Sequence, residues 1–138
     1  AAGQEAVNTY CKNNGYTDTS MGRMLLEKAS VNENYTSARD CSVFLKNIYE
    51  NKLEHSEDML NLLKQQTRTE KIPKGIPSGV ETANKTGELD HVENDAAIVF
   101  DGENPYIICV MADNLSDTTE ARQRIVDISS VVYENISK

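Results

Sequence analysis

Apolar residues recur at helical spacing through the first half of the chain and in continuous runs through the second, with the change near Gln66. Over 5–13, Ala6, Val7, Tyr10 and Cys11 share one helical face, and Asn14-Gly15 supplies a stop. Thr19-Ser20 can cap a short helix through Met21, Met24 and Leu25, and 30–36 reads as a loop. Ser37 heads the clearest helix, in which Cys41, Phe44, Leu45, Ile48 and Tyr49 follow an i, i+3, i+4, i+7, i+8 stripe. Ser56 heads another, carrying Met59, Leu60, Leu62 and Leu63. Residues 67–79, with Pro73, Gly75, Pro77 and Gly79, predict an extended connector. Strands follow at 80–89, 96–100 and 106–112. The last two lack polar alternation, so both their faces should be buried. Asp101-Gly102 turns the chain between them. Asp117-x-x-Glu120 has the form of a capping box and opens a helix with Ala121, Ile125, Ile128, Val132 and Ile136 on one side. The pattern predicts an α+β fold: a helical portion over 1–66, then a connector, a three-stranded antiparallel sheet and a long terminal helix over 67–138.

Composition narrows the function more than the fold. The 138 residues suit one ordinary domain, with a mostly aliphatic core given two Phe and no Trp. Fourteen basic residues against 22 acidic ones give a net charge of -8, which argues against nucleic acid and anionic membranes. No apolar run approaches the roughly 20 residues that span a bilayer. No signal peptide is visible, and the first residue is Ala, which suggests a processed or trimmed N-terminus. Cys11, Cys41 and Cys109 have no metal-ligand spacing and each falls on an apolar face, as buried free thiols do. His55 and His91 are far apart, and His91 reads as an exposed turn residue. No metal or cofactor is expected.

The tripeptide Lys85-Thr86-Gly87 on the first predicted strand carries the chemistry. An ammonium and a hydroxyl there offer a positive, hydrogen-bonding corner to a carboxylate. A glycine lets an extended ligand lie against the strand edge. Taken alone, the lysine could equally be a solvent-facing strand residue and the glycine a strand irregularity.

The context resembles the class A β-lactamase and D,D-peptidase-like superfamily over essentially the whole chain. The run Ile72-Pro73-Lys74-Gly75-Ile76-Pro77, Val80, Asn84-Lys85-Thr86-Gly87-Glu88-Leu89 and Asn94-Asp95-Ala96-Ala97-Ile98-Val99 is similar to the family's approach to its third motif and the strand beyond. Asn34-Tyr35-Thr36-Ser37 resembles the segment after the family's active-site loop. The resemblance implies a serine nucleophile in Ser-x-x-Lys and a Ser-Asp-Asn-type motif before Lys-Thr-Gly. No serine here has Lys three residues on, and Ser116-Asp117-Thr118 follows Lys-Thr-Gly instead of preceding it. The expectation is therefore a C-terminal half, inactive alone, whose partner is the N-terminal half of the same protein. The implied ligand is a β-lactam or a D-Ala-D-Ala peptide, in the bacterial envelope or outside the cell.

By the same resemblance Lys85 and Thr86 would hold the ligand carboxylate, and the Glu88 backbone N–H would give half of an oxyanion hole. The Glu88 side chain itself reads as solvated. Arg122, early in the last helix, would serve the carboxylate pocket, unless it is a solvent-facing helix residue. The deacylating glutamate would fall between Arg23 and Thr36, where Glu27 and Glu33 stand outside the Glu-x-x-Leu-Asn pattern. Three functions stay open: a hydrolase, a penicillin-binding domain without turnover, and a structural domain with a chance Lys-Thr-Gly. In the family the absent half pairs with and covers this sheet, so self-association of the chain is a further expectation.

Overall fold

The computed structural model describes residues 3–24, 27 and 32–137. Two compact units meet within the second helix, at residues 41 and 42.

The first unit holds α1 (Gln4–Asn13) and loops tied by side chains. Gly15, at φ 79°, stops α1, and the Tyr16 amide returns to the Cys11 carbonyl at 2.9 Å, as Asn14-Gly15 predicts. Of the stripe on α1 only Cys11 is buried, and Cys41 and Cys109 are half-buried. No helix forms over Met21 to Met24; Leu25 lies outside the described residues. The backbone groups there are claimed by distant side chains. Asn8 bonds the Met21 amide and carbonyl at 2.7 and 3.0 Å, and Asn34 Oδ1 accepts from Gly22 and Arg23 at 2.9 and 3.0 Å. Ser20 and Tyr35 form a two-bond bridge. Asp40, 2% exposed, accepts from the Asp18 amide and the Thr19 hydroxyl, both at 2.8 Å.

The helix α2 (Ala38–Tyr49) is headed by Ser37, whose Oγ accepts from the Asp40 amide at 3.1 Å. Leu45 and Ile48 of its stripe are buried, and Tyr49 leans on Phe100 with ring centroids 6.1 Å apart. The helix α3 (Ser56–Lys64) begins at Ser56, which does not cap it: its hydroxyl bonds back to Leu53, and His55, at φ 63°, occupies the cap position. Leu62 is 69% exposed because it lies off the stripe of Met59, Leu60 and Leu63.

The second unit is built on one antiparallel meander, β1 (Glu81–Leu89), β2 (Val92–Phe100) and β3 (Tyr106–Ala112), in the order β1-β2-β3. Lys85, fifth of nine residues in β1, pairs with Ala96, and Ala96 pairs with Cys109. β2 begins four residues before the apolar run, since the tight Asp90-His91 turn returns the chain at once. Its Ala96, Ala97, Ile98 and Val99 are all buried, as a central strand requires. β3 is an outer strand, and only Ile108 in it is fully buried.

Alternation sorts the strands into two faces. Ala97, Val99 and Ile108 face Ile72, Ile76 and Ile125 in the core, with Val132 and Tyr133 packed against them. Ile72 and Ile76 belong to the connector. It is not simply extended: it contains a 3-10 turn, Ile72–Gly75, pressed on the last helix, α4 (Thr118–Ile136). A Cβ on Gly75 would lie 2.4 Å from the Val126 carbonyl oxygen, so only glycine admits that approach. Buried Ser129, bonded to the Ile72 carbonyl at 2.8 Å, takes a core place on α4, whereas Ile128 and Ile136 are 45% and 41% exposed. Asp117 caps α4 through the Thr119 and Glu120 amides at 2.8 and 3.0 Å; the Glu120 side chain turns to Arg124 instead of completing the box. The opposite sheet face buries Ala83 and Ile98, and α3 is fixed to it by Lys64, 2.7 Å from Glu81 and 4.4 Å over the Phe100 ring.

Candidate functional site

The edge strand β1 organises the site. Lys85 projects on the α3 face, and its ammonium folds back to the Thr86 carbonyl. Thr86 points to the other face, 6% exposed, across from Asp95. Gly87 follows, on a strand whose outer edge is unpaired among the described residues. A Cβ there would meet only Asn94 Cβ at 3.6 Å and Asn94 Nδ2 at 3.7 Å, which is ordinary contact, and its φ is not among the positive ones. Neither packing nor backbone conformation demands glycine at this position.

Beneath Thr86 and Glu88 lies a network of charges. Glu93, 1% exposed, sits opposite Glu88 in the β1–β2 register. Its carboxylate takes Lys71 Nζ at 2.7 Å on one oxygen, and Arg122 Nε and Nη2, both at 2.7 Å, on the other. Burial opposes ionisation of Glu93, but the bonds from Arg122 and Lys71 outweigh it and hold the carboxyl below the ordinary range. The bond to Glu93 likewise raises the Arg122 pKa. Glu88 joins the same network, 3.1 Å from Arg68, 3.3 Å from Lys71 and 3.8 Å from Arg122. Its side chain is thus engaged with three cations, contrary to the solvated reading; the cause is the Arg122 and Lys71 charge gathered under the strand end. Arg122 is exposed, with 45% of its side chain open to solvent, and at the same time two carboxylates already face it.

Asp95, 1% exposed, accepts from Asn84 Nδ2 at 3.1 Å and from the Ile72 amide at 3.0 Å. Burial raises its pKa despite those bonds. Asn84 also donates to the Arg68 carbonyl at 3.2 Å. Sheet and connector are therefore fastened together directly behind Lys-Thr-Gly. His91, at φ 64° in the hairpin turn, bonds Leu115 twice, at 2.7 Å through Nδ1 and 3.0 Å through its carbonyl. A 620 Å3 surface hollow between this turn and the start of α4 is lined by Glu88, His91, Glu93 and Arg122 among others. In the first unit, Glu33 pairs with Arg23 at 2.7 Å, and Glu27 Oε2 accepts from the Met24 amide at 2.8 Å.

Of the predicted site residues, the fold joins Lys85, Thr86, Gly87 and Glu88 on one edge and brings Arg122 to Glu88. Lys71, Asn84, Glu93 and Asp95 went unread. A two-residue turn between Leu89 and Val92 was the available signal for Glu93, since it sets that residue opposite Glu88.

The sequence model of the beta-lactamase enzyme family matches residues 1–136. The chain belongs to that family. No curated protein matches it. Among solved structures, a beta-lactamase from Sphaerobacter thermophilus superposes with a TM-score of 0.88 at 24% identity, over 97% of this chain and 54% of that one. PBP-A superposes with a TM-score of 0.85 at 24% identity, over 97% of this chain and 51% of that one. A PBP-A variant in an acyl-enzyme complex with penicillin G does so with 0.84 at 23%, over 97% and 52%. The chain spans about half the length of each. The β-lactamase-like α+β fold of these structures is the fold of this chain.

Proposed function

We propose that this chain is the C-terminal, ligand-holding half of a penicillin-recognising serine hydrolase, and that residues outside this sequence supply the nucleophile. The observation that carries the reading is Lys85-Thr86-Gly87 at the middle of a strand with one edge unpaired among the described residues, and a glycine that packing among those residues does not require. Such a glycine suits a ligand backbone lying along the edge. Lys85 supplies charge for a carboxylate, Thr86 a hydroxyl, and the Glu88 amide one oxyanion donor. The ligand is a β-lactam or a D-Ala-D-Ala peptide, met in the bacterial envelope or outside the cell. Penicillin G held as an acyl-enzyme on PBP-A, a protein of this fold, agrees with that ligand class.

Acyl transfer needs an activated nucleophile, and no Ser-x-x-Lys occurs in these residues. The chain alone should therefore keep its intact mass after incubation with penicillin. The full-length polypeptide containing it should gain one adduct, on a serine outside this sequence. A stoichiometric adduct on any serine of this chain would overturn the reading. No adduct on the full-length polypeptide would leave a structural domain.

A second reading is a binder that acylates and releases slowly. It is favoured by Glu27 and Glu33, each held in local bonds and neither in the Glu-x-x-Leu-Asn pattern. Slow loss of the adduct would select it over the hydrolase.

A further inference from the structure

Lys71 is the most deeply buried cation among the described residues, with a side chain 1% exposed. Long charged side chains are almost never buried this far without a defined set of partners. Lys71 donates to the Asn94 carbonyl at 3.0 Å and to the Gly87 carbonyl at 3.3 Å, and its charge is paired with Glu93 Oε2 at 2.7 Å and Glu88 Oε1 at 3.3 Å. Gly87 and Asn94 are direct partners in the β1–β2 register. One ammonium thus grips both members of a single cross-strand pair, at the glycine of Lys-Thr-Gly. Its own backbone is fixed next door, where the Ile72 amide is held by Asp95.

We propose that Lys71 is a positioning residue: a buried strap that holds the Gly87–Glu88 segment of the edge strand in place for ligand binding and acylation. The catalytic part of this proposal rests on the function proposed above; the strap itself does not. Among the described residues β1 is paired on one side only, and a glycine in it adds freedom where an anion hole needs a fixed amide. Two backbone carbonyls bonded from below restore that fixity without occupying the free edge. Glu93 makes the arrangement possible, because it compensates the buried charge and is itself fixed by Arg122. The arrangement is non-local: Lys71 comes from the connector, Gly87 from β1, Asn94 from β2 and Arg122 from α4.

The test uses the full-length polypeptide that contains this sequence, with two readouts. The first is amide hydrogen exchange of 86–89, followed by mass spectrometry. The second is the rate of acylation by penicillin G. Lys71→Met alone leaves Glu93 with one cation fewer, so the double variant Lys71→Met/Glu93→Gln is made beside it; removing both charges avoids an unpaired buried ion. A strap predicts exchange at 86–89 faster by about tenfold in both variants, with peptides from α3 unchanged. It also predicts acylation slower by on the order of tenfold to a hundredfold, the cost of a misplaced reacting group, with little change in penicillin affinity. Native-like exchange at 86–89 in the double variant would overturn the strap. Lys85→Ala is the control for the function: if it leaves acylation intact, the functional reading fails, and exchange still decides the strap. If it abolishes acylation while the double variant acylates normally, the positioning role is overturned and the function stands.

Discussion

Gly87 offers the sharpest residue-level test of what the edge strand is for. A methyl group there meets ordinary contacts only, so Gly87→Ala should change the unfolding free energy by no more than about 0.5 kcal/mol. In the full-length polypeptide it should nonetheless slow acylation by on the order of tenfold, because the methyl group stands where a ligand backbone would lie. Loss of stability with normal acylation would make the glycine structural. Lys85→Ala should cost about 2–4 kcal/mol in kcat/KM, as removal of a partner for developing charge does. Arg122→Ala should cost less and mainly through KM, since its guanidinium is already bound to Glu93 at 2.7 Å. Glu93→Gln should destabilise the fold by about 3 kcal/mol at neutral pH, leaving buried Lys71 with only the half-buried Glu88 carboxylate, at 3.3 Å, to balance its charge. Folding lowers the Glu93 pKa, so its contribution is present above the ordinary value of 4.5 and lost as pH falls through the folded value below it. The gap between wild type and Glu93→Gln in urea titrations should therefore close on acidification. Asp95, whose pKa burial raises, works in the opposite sense and favours folding at the acid end of its range.

The apolar runs of β2 and β3 and the 3.6-residue period of α2 were legible as elements because single-residue patterns report the faces of regular structure. The position of Lys85 near the middle of a strand was legible for the same reason. What could not be read was partner-dependent. Val92-Glu93-Asn94-Asp95 looks like a polar loop, yet two of its charges are buried because Lys71, Arg122 and Asn84 arrive from other elements. Thr19-Ser20 carries a helix-start signal, but the Asn8 and Asn34 side chains satisfy the backbone that a helix would have used. On α4 the sequence favoured Ile128, while the fold chose Ser129, because the connector passes so close that a small, hydrogen-bonding residue is needed. Gly75→Ala tests that contact: with a Cβ 2.4 Å from a backbone oxygen, the variant should lose about 2 kcal/mol. An unchanged midpoint in thermal unfolding would show that the connector can move away from α4.

At the scale of the whole molecule, the chain carries more adhesive surface than its own elements use. Among the described residues β3 pairs with β2 alone, so its outer edge presents unpaired backbone groups. Tyr106, Ile107, Val110 and Met111 on it are only half-buried, and α4 exposes Val131 at 59% beside Ile128 at 45%. An open edge next to exposed aliphatics is a template for pairing with another strand. The net charge of -8 opposes association over distance, but salt screens it within about 10 Å at 0.1 M. The chain by itself should therefore self-associate, more strongly as salt is added, and sedimentation velocity across a concentration series would show it. Val131→Lys should weaken the association by placing charge on the α4 surface, while a substitution such as Leu62→Lys on exposed α3 should not. A monomer at every concentration and salt would mean that edge and stripe are covered within the chain. If the other half of the full-length polypeptide is the natural cover, adding it in trans should dissolve the self-associated species into a one-to-one complex. Persistence of the self-associated form beside a folded second half would place the joining surface elsewhere.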